Sequence, residues 1–192
     1  IEYVFDKAND YERIKEKLIG ETFEYAPKFS YIINGLLMRY ETNPDLIRFL
    51  REHTNLITNT FIKSGTRNLR ILKHALNDFQ KVFETVNKFY PNTNLIVLQT
   101  MLIFTIAFSF EIKAGKITKD KFVNINSNEE YKSILVSSRV LMDNRQFYIK
   151  EFDNTYYYNF KVEYRFFKFI ELYVRTRIFD MKIFKYDMEE IR

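Results

Sequence analysis

The chain has 192 residues, 46% of them hydrophobic, and 30 Lys and Arg against 25 Asp and Glu give it a formal charge of +5. That much apolar surface argues against disorder, while 4 Gly and 3 Pro are too few for the tight turns of a sandwich or barrel. The absence of cysteine excludes a disulfide framework, a thiolate metal site and a cysteine nucleophile, and it fits a reducing, cytoplasmic setting. The expected class is therefore all-α, with room for one or two short strands.

The positive charge is spread along the chain. Residues 1–90 carry 14 Lys and Arg against 12 Asp and Glu, and residues 91–192 carry 16 against 13, so no strongly basic domain stands out. The first residue is Ile1 rather than Met, which reads as a piece of a longer protein.

In chain order, Ile1 to Phe5 alternate like a short strand, and Asp10 caps a charged helix over Tyr11–Ile19 that Gly20 ends. Thr22 to Tyr25 are extended ahead of Pro27, which is placed to begin a helix running to about Tyr40. Asn43-Pro44 repeats that start signal for an apolar pattern through Leu46, Ile47, Phe49 and Leu50. After Thr54-Asn55 the pattern resumes with Leu56, Ile57, Phe61 and Ile62. Ser64-Gly65 closes this segment and Thr66 is read as the cap of a long helix, with Leu69, Leu72, Leu76, Phe79 and Phe83 as its buried stripe. Tyr90-Pro91 stops it.

Leu95 to Phe110 is almost continuously apolar. A bilayer span needs about 20 apolar residues. This run has 16, with Gln99, Thr100, Thr105 and Ser109 inside it and Glu111 and Lys113 directly after, so a helix buried on all sides is expected rather than a membrane segment. Gly115 caps that helix, and residues 116–128 form a polar connector with Ile117, Phe122 and Ile125 touching the core. Asn128-Glu129-Glu130 starts a helix to about Leu141. Residues 142–161 are left open between strand, irregular backbone and helical turns. Helical spacing returns over 162–174 and again over 180–191, with Asp180 as a cap. Two packed helical units follow from this layout, 1–90 and 91–192.

Arg67, Arg70 and His74 fall on the polar edge of the long helix's first turns. Two guanidiniums at a helix N-terminus suit phosphate, and the plain alternative is a solvated polar edge. His53 and His74 are the only histidines, and neither has a second ligand at metal spacing, so no metal site is expected. A competing site is the span 145–186, where 15 Phe and Tyr interleave with 9 Lys and Arg. Aromatics that stack on bases beside cations that track phosphates make Lys161, Tyr164, Arg165 and Lys168 candidates for nucleic acid; helical spacing of Phe166, Phe167, Phe169, Tyr173 and Phe184 gives the alternative, a packed core.

The segment from Tyr11 through Ile14-Lys15-Glu16-Lys17-Leu18-Ile19-Gly20-Glu21-Thr22-Phe23-Glu24-Tyr25-Ala26-Pro27, followed by Thr66-Arg67-Asn68-Leu69-Arg70-Ile71-Leu72-Lys73-His74-Ala75-Leu76, resembles the part of KAP-type and AAA+-like bacterial P-loop ATPases that follows the nucleotide-binding domain. The resemblance covers about residues 10–90, and Ser109 to Ile117 looks like the helical extension of such proteins. It implies a helical lid in which Arg70 is the sensor-2 residue that reaches the γ-phosphate, with Arg67 as second candidate. ATP and Mg²⁺ are then expected in the full-length protein, with a P-loop ATPase domain in the same or another chain as partner, an oligomeric assembly, and an antiviral setting. The chain itself holds no G-x-x-x-x-G-K-[ST] loop and no apolar strand ending in paired acids, so no cofactor is expected within it and it is not a complete enzyme.

Overall fold

The computed structural model describes residues 28–117, 122, 124–137, 143–157 and 160–191. The expectations for the strand at Ile1–Phe5, the helix over Tyr11–Ile19 and the start at Pro27 lie outside the described residues, while the helix expected to run from Asn128 to about Leu141 ends earlier, at Val136, where Ser137 turns extended at ψ 150°. Among the described residues there are nine α-helices, one 3₁₀ turn and no strand, so the fold is all-α.

Helix α1 (Phe29–Leu37) buries Ile33 and Leu37 and tightens into the 3₁₀ turn Met38–Tyr40. Helix α2 (Pro44–Glu52) begins where Asn43-Pro44 signals it: Asn43 Oδ1 accepts from the Leu46 amide at 3.1 Å, and Pro44 sits at the first position, where its missing N–H costs nothing. Helix α3 (Thr54–Lys63) ends at Ser64, whose hydroxyl donates to the Phe61 carbonyl at 2.7 Å, and Gly65 follows at φ 73°, a conformation that favours glycine.

Helix α4 (Leu69–Phe89) buries Leu72, Leu76, Phe79 and Phe83 along one stripe, and helix α5 (Leu95–Lys113) packs against it. The cap of α4 differs from expectation. Asn68 supplies it, its Oδ1 accepting from the amides of Arg70 at 3.0 Å and Ile71 at 3.4 Å, whereas the Thr66 hydroxyl lies 3.4 Å from that of Ser64. An asparagine one residue before the first turn competes better for those amides than a threonine two residues further out.

Helix α5 is the centre of the fold, flanked by α3, α4 and helix α8 (Lys168–Thr176). By length and composition it could cross a bilayer, with a mean hydropathy of 2.0, yet 72% of that window is buried inside the molecule. Its apolar surface is thus matched by neighbouring helices on nearly every side, as a core helix requires. Gly115, at φ 71°, closes it, and the Lys116 amide returns to the Glu111 carbonyl at 3.0 Å.

Helix α6 (Asn128–Val136) is capped by Ser127, which accepts from the Glu130 amide at 3.1 Å while Glu130 Oε2 accepts from the Asn126 amide at 2.9 Å. The segment left open in the sequence contains a helix, α7 (Asn144–Tyr157), started by Asp143, whose Oδ1 accepts from the Gln146 amide at 2.7 Å. Residues 162–167, expected to be helical, are not, and α8 starts at Lys168. The cause is a single side chain. Asn128 Oδ1 accepts from the amides of Arg165 at 2.9 Å and Phe166 at 3.3 Å, and its Nδ2 donates to the Glu163 carbonyl at 3.1 Å, so these backbone groups are satisfied without a helix.

Held in this way, Phe166 and Phe167 both meet Phe104 of α5, with ring centroids 5.6 and 6.0 Å away. Helix α9 (Met181–Ile191) is capped by Asp180 as expected, its Oδ1 accepting from the Lys182 amide at 2.8 Å. One buried cluster runs from Ile33 to Met188 and crosses the 90/91 boundary without a break.

Candidate functional site

The start of α4 carries the leading site residues. Arg67 lies outside the helix, at φ 47°, with its guanidinium 5.7 Å from the centroid of the Phe29 ring, so it is anchored on α1 by a cation–π contact. Arg70 is exposed in the first turn, and among the described residues no carboxylate pairs with it. Because Asn68 already occupies the Arg70 and Ile71 amides, an anion here would be met by the guanidinium of Arg70 and not by those two amides. His74 follows one turn later and is exposed, and Asp78 one turn after that is buried, so 70, 74 and 78 form a row along one edge of α4.

The four residues considered for nucleic acid fall into two pairs. Arg165 donates from Nη1 to Asp153 at 2.5 Å and from Nε to the Val162 carbonyl, and it lies over the Tyr157 ring at 5.8 Å. Lys168 stands 3.2 Å from Oε2 of Glu171, a fully buried carboxylate whose other oxygen accepts from Arg175 Nε at 2.6 Å. Lys168 approaches Oε2 as a charge partner without the alignment of a hydrogen bond. Both cations are thus committed to buried acids of their own neighbourhood. Lys161 is exposed, and with Tyr164 it lines a groove of about 580 Å³ between the α4–α5 turn, the extended segment and the end of α9. The Tyr164 hydroxyl donates to the Glu190 carbonyl there.

Sequence reasoning missed Glu111. Read as a charge terminating the apolar run, it is buried, and its carboxylate accepts from the hydroxyls of Tyr148 at 2.5 Å and Tyr156 at 2.7 Å and from Lys116 at 3.2 Å. Burial pushes both tyrosines above the ordinary phenol range, reinforced by the hydrogen bond to Glu111 and by its charge. They therefore act as neutral donors. The signal that could have found this group is an acid inside an apolar helix followed 37 and 45 residues later by tyrosines, a pattern without local spacing.

Asp153 is similar: burial raises its pKa, partly offset by the charge of Arg165, and Tyr131 donates to it at 3.3 Å. Asp187 of α9 accepts from the Phe169 amide at 2.9 Å, and burial raises it to about 7. His53 is a linker of the core: Nδ1–H donates to the Phe49 carbonyl at 2.6 Å, which leaves Nε2 to accept from Gln99 at 2.7 Å. Among the described residues no group of three His, Asp or Glu could hold a metal ion. Compared with protein-family models, with curated proteins and with solved structures, the chain matches none.

Proposed function

We propose that this chain is the helical lid and interaction region of a larger P-loop ATPase, sensing bound nucleotide through Arg70 and passing its state to a partner. The observation that supports it most is the placement of Arg70, an exposed guanidinium on the first turn of a 21-residue helix that packs along the core helix α5. A charge at that end can engage a phosphate outside the chain while the rest of α4, bound to the core, carries the displacement inward. The resemblance of residues 10–90 to the lids of KAP-type and AAA+-like ATPases supplies the class of ligand. ATP and Mg²⁺ belong to the P-loop domain, in the same or another chain, within an oligomeric, cytoplasmic, antiviral assembly. Arg67, held on Phe29, is the second candidate for the phosphate contact.

Amide hydrogen exchange in the assembled ATPase tests this. A non-hydrolysable ATP analogue with Mg²⁺ is expected to slow exchange over residues 69–76 in the wild type and not in Arg70→Ala. Equal protection in both proteins speaks against the sensing role.

The second reading, an adaptor that binds nucleic acid or protein through 145–186, draws its support from the Lys161–Tyr164 groove. Fluorescence anisotropy with a single-stranded oligonucleotide tests it, Lys161→Gln being expected to weaken binding and flatten its salt dependence.

A further inference from the structure

Between α4, α5 and α8 lies a second concave feature, a cavity of about 110 Å³ whose polar lining is His74, Asp78, Ser109, Lys113, Arg175 and Arg177. Ser109 is 5% exposed, and its hydroxyl is a buried polar group with no hydrogen-bond partner among the described residues. Serines in helices ordinarily satisfy themselves on a carbonyl one turn back, as Thr100 and Thr105 of the same helix do at 2.7 Å, so a lone hydroxyl at a cavity wall asks for a ligand. Around it the charge is unbalanced. Lys113, Arg175 and Arg177 outnumber the one acid of the lining, Asp78, which is held by Nη1 of Arg177. Arg175 meets Glu171 through Nε, so the Nη edge of its planar fork is left to serve an anion.

The geometry points to a binding site for a phosphate group here. The cavity admits a small tetrahedral oxyanion and has no space for an organic body, and three side-chain donor types, the hydroxyl and ammonium of α5 and the guanidiniums at the end of α8, line it as an anion with several acceptor oxygens requires. His74, Lys113 and Arg177 are exposed at its mouth, so a larger ligand could enter by its terminal phosphate with the remainder in solvent. Occupancy would tie α5 to α8, with His74 of α4 at the mouth. The site uses neither Arg70 nor an ATPase domain, and it stands or falls separately from the function proposed above.

Thermal unfolding of this chain in sodium phosphate, against sodium chloride at equal ionic strength, tests it. A saturable rise of about 3–5 °C at tenfold excess over the midpoint is expected. Ser109→Ala should melt like the wild type in chloride, because its hydroxyl has no partner to lose, and should bind phosphate roughly tenfold more weakly. Lys113→Gln should also weaken the midpoint, and Arg70→Ala should leave it unchanged. Adenosine monophosphate with a midpoint equal to or below that of phosphate assigns the site to a terminal phosphate, whereas a response to the inorganic ion alone assigns it to free phosphate; both support the site. A rise that does not saturate, or that is equal in Ser109→Ala, is the general salting effect of phosphate and overturns it.

Discussion

Nη1 of Arg177 lies 2.5 Å from both carboxylate oxygens of Asp78, joining the end of α8 to the third turn of α4 across 99 residues of chain. Asp78 is 9% exposed at its side chain and Arg177 50%, so solvent screens the attraction, and the main cost of breaking the pair is a buried carboxylate left without its donor. Arg177→Ala is expected to destabilise by about 1–3 kcal/mol in urea unfolding. Adding Asp78→Asn to that variant should recover part of the loss, since it removes the stranded charge. Additive losses from the two changes would show that they do not act on one another.

Truncation of the central helix should be far more costly. Leu102 is fully buried in α5, and Leu102→Ala is expected to cost about 2–5 kcal/mol, measured by denaturant unfolding. Leu102→Asp should not fold. Wild-type stability in the aspartate variant, or partition of the protein into vesicles, would contradict α5 as a core helix.

Stability should fall as the solution passes from mildly acid to neutral. Asp187 titrates near 3.8 when unfolded and near 7 when folded, so between those values the folded state holds the extra proton. Its contribution is complete below pH 3.8 and lost by about pH 7, on the order of 4 kcal/mol at most. Asp153, also raised by burial, acts in the same direction. Asp187→Asn keeps an acceptor for the Phe169 amide and should flatten this part of the stability curve. An unchanged slope in that variant would assign the dependence to another group.

What the sequence made legible is what is encoded locally. Asn43-Pro44, Gly65, Gly115 and Asp180 each act within a turn, and all four stand where the spacing put them. The stripe from Leu72 to Phe83 is likewise buried because a 3.6-residue period needs no knowledge of the partner helix. Apart from the cap of α4, where Asn68 and not Thr66 takes the free amides, the misreadings involve distant partners. Asn128 holds residues 163–166 extended from 35 to 38 positions away, which no helical spacing around Phe166 could reveal. Glu111 reads as the charge that ends the apolar run, and Arg165 and Lys168 as candidates for nucleic acid, because their partners, Tyr148 and Tyr156, Asp153, and buried Glu171, are recognisable only once the helices are packed. For the candidate site, the exposed edge carrying Arg70 and His74 was legible, while Arg67 falls outside the helix and the cavity around Ser109 left no local signal.

Isolated from any P-loop domain, this chain should neither hydrolyse ATP nor bind it in the micromolar range, because it contains no Walker-type loop to cradle the phosphates. Isothermal titration calorimetry reads this directly. Micromolar binding would require a nucleotide site within the chain.

The role of Arg70 is tested most directly by ATP turnover in the assembled ATPase, comparing Arg70→Ala with Arg67→Ala and using melting temperature as the folding control. Arg70 is exposed, so its alanine variant should fold normally, while turnover drops about tenfold or more, the scale of one lost charge-assisted phosphate contact. Arg70→Lys should restore little, since an ammonium cannot engage two oxygens as the planar fork does. Arg67→Ala should change turnover less, and lower stability slightly through its lost contact with Phe29. Wild-type turnover in Arg70→Ala would make Arg70 a solvated surface residue and contradict nucleotide sensing by this chain.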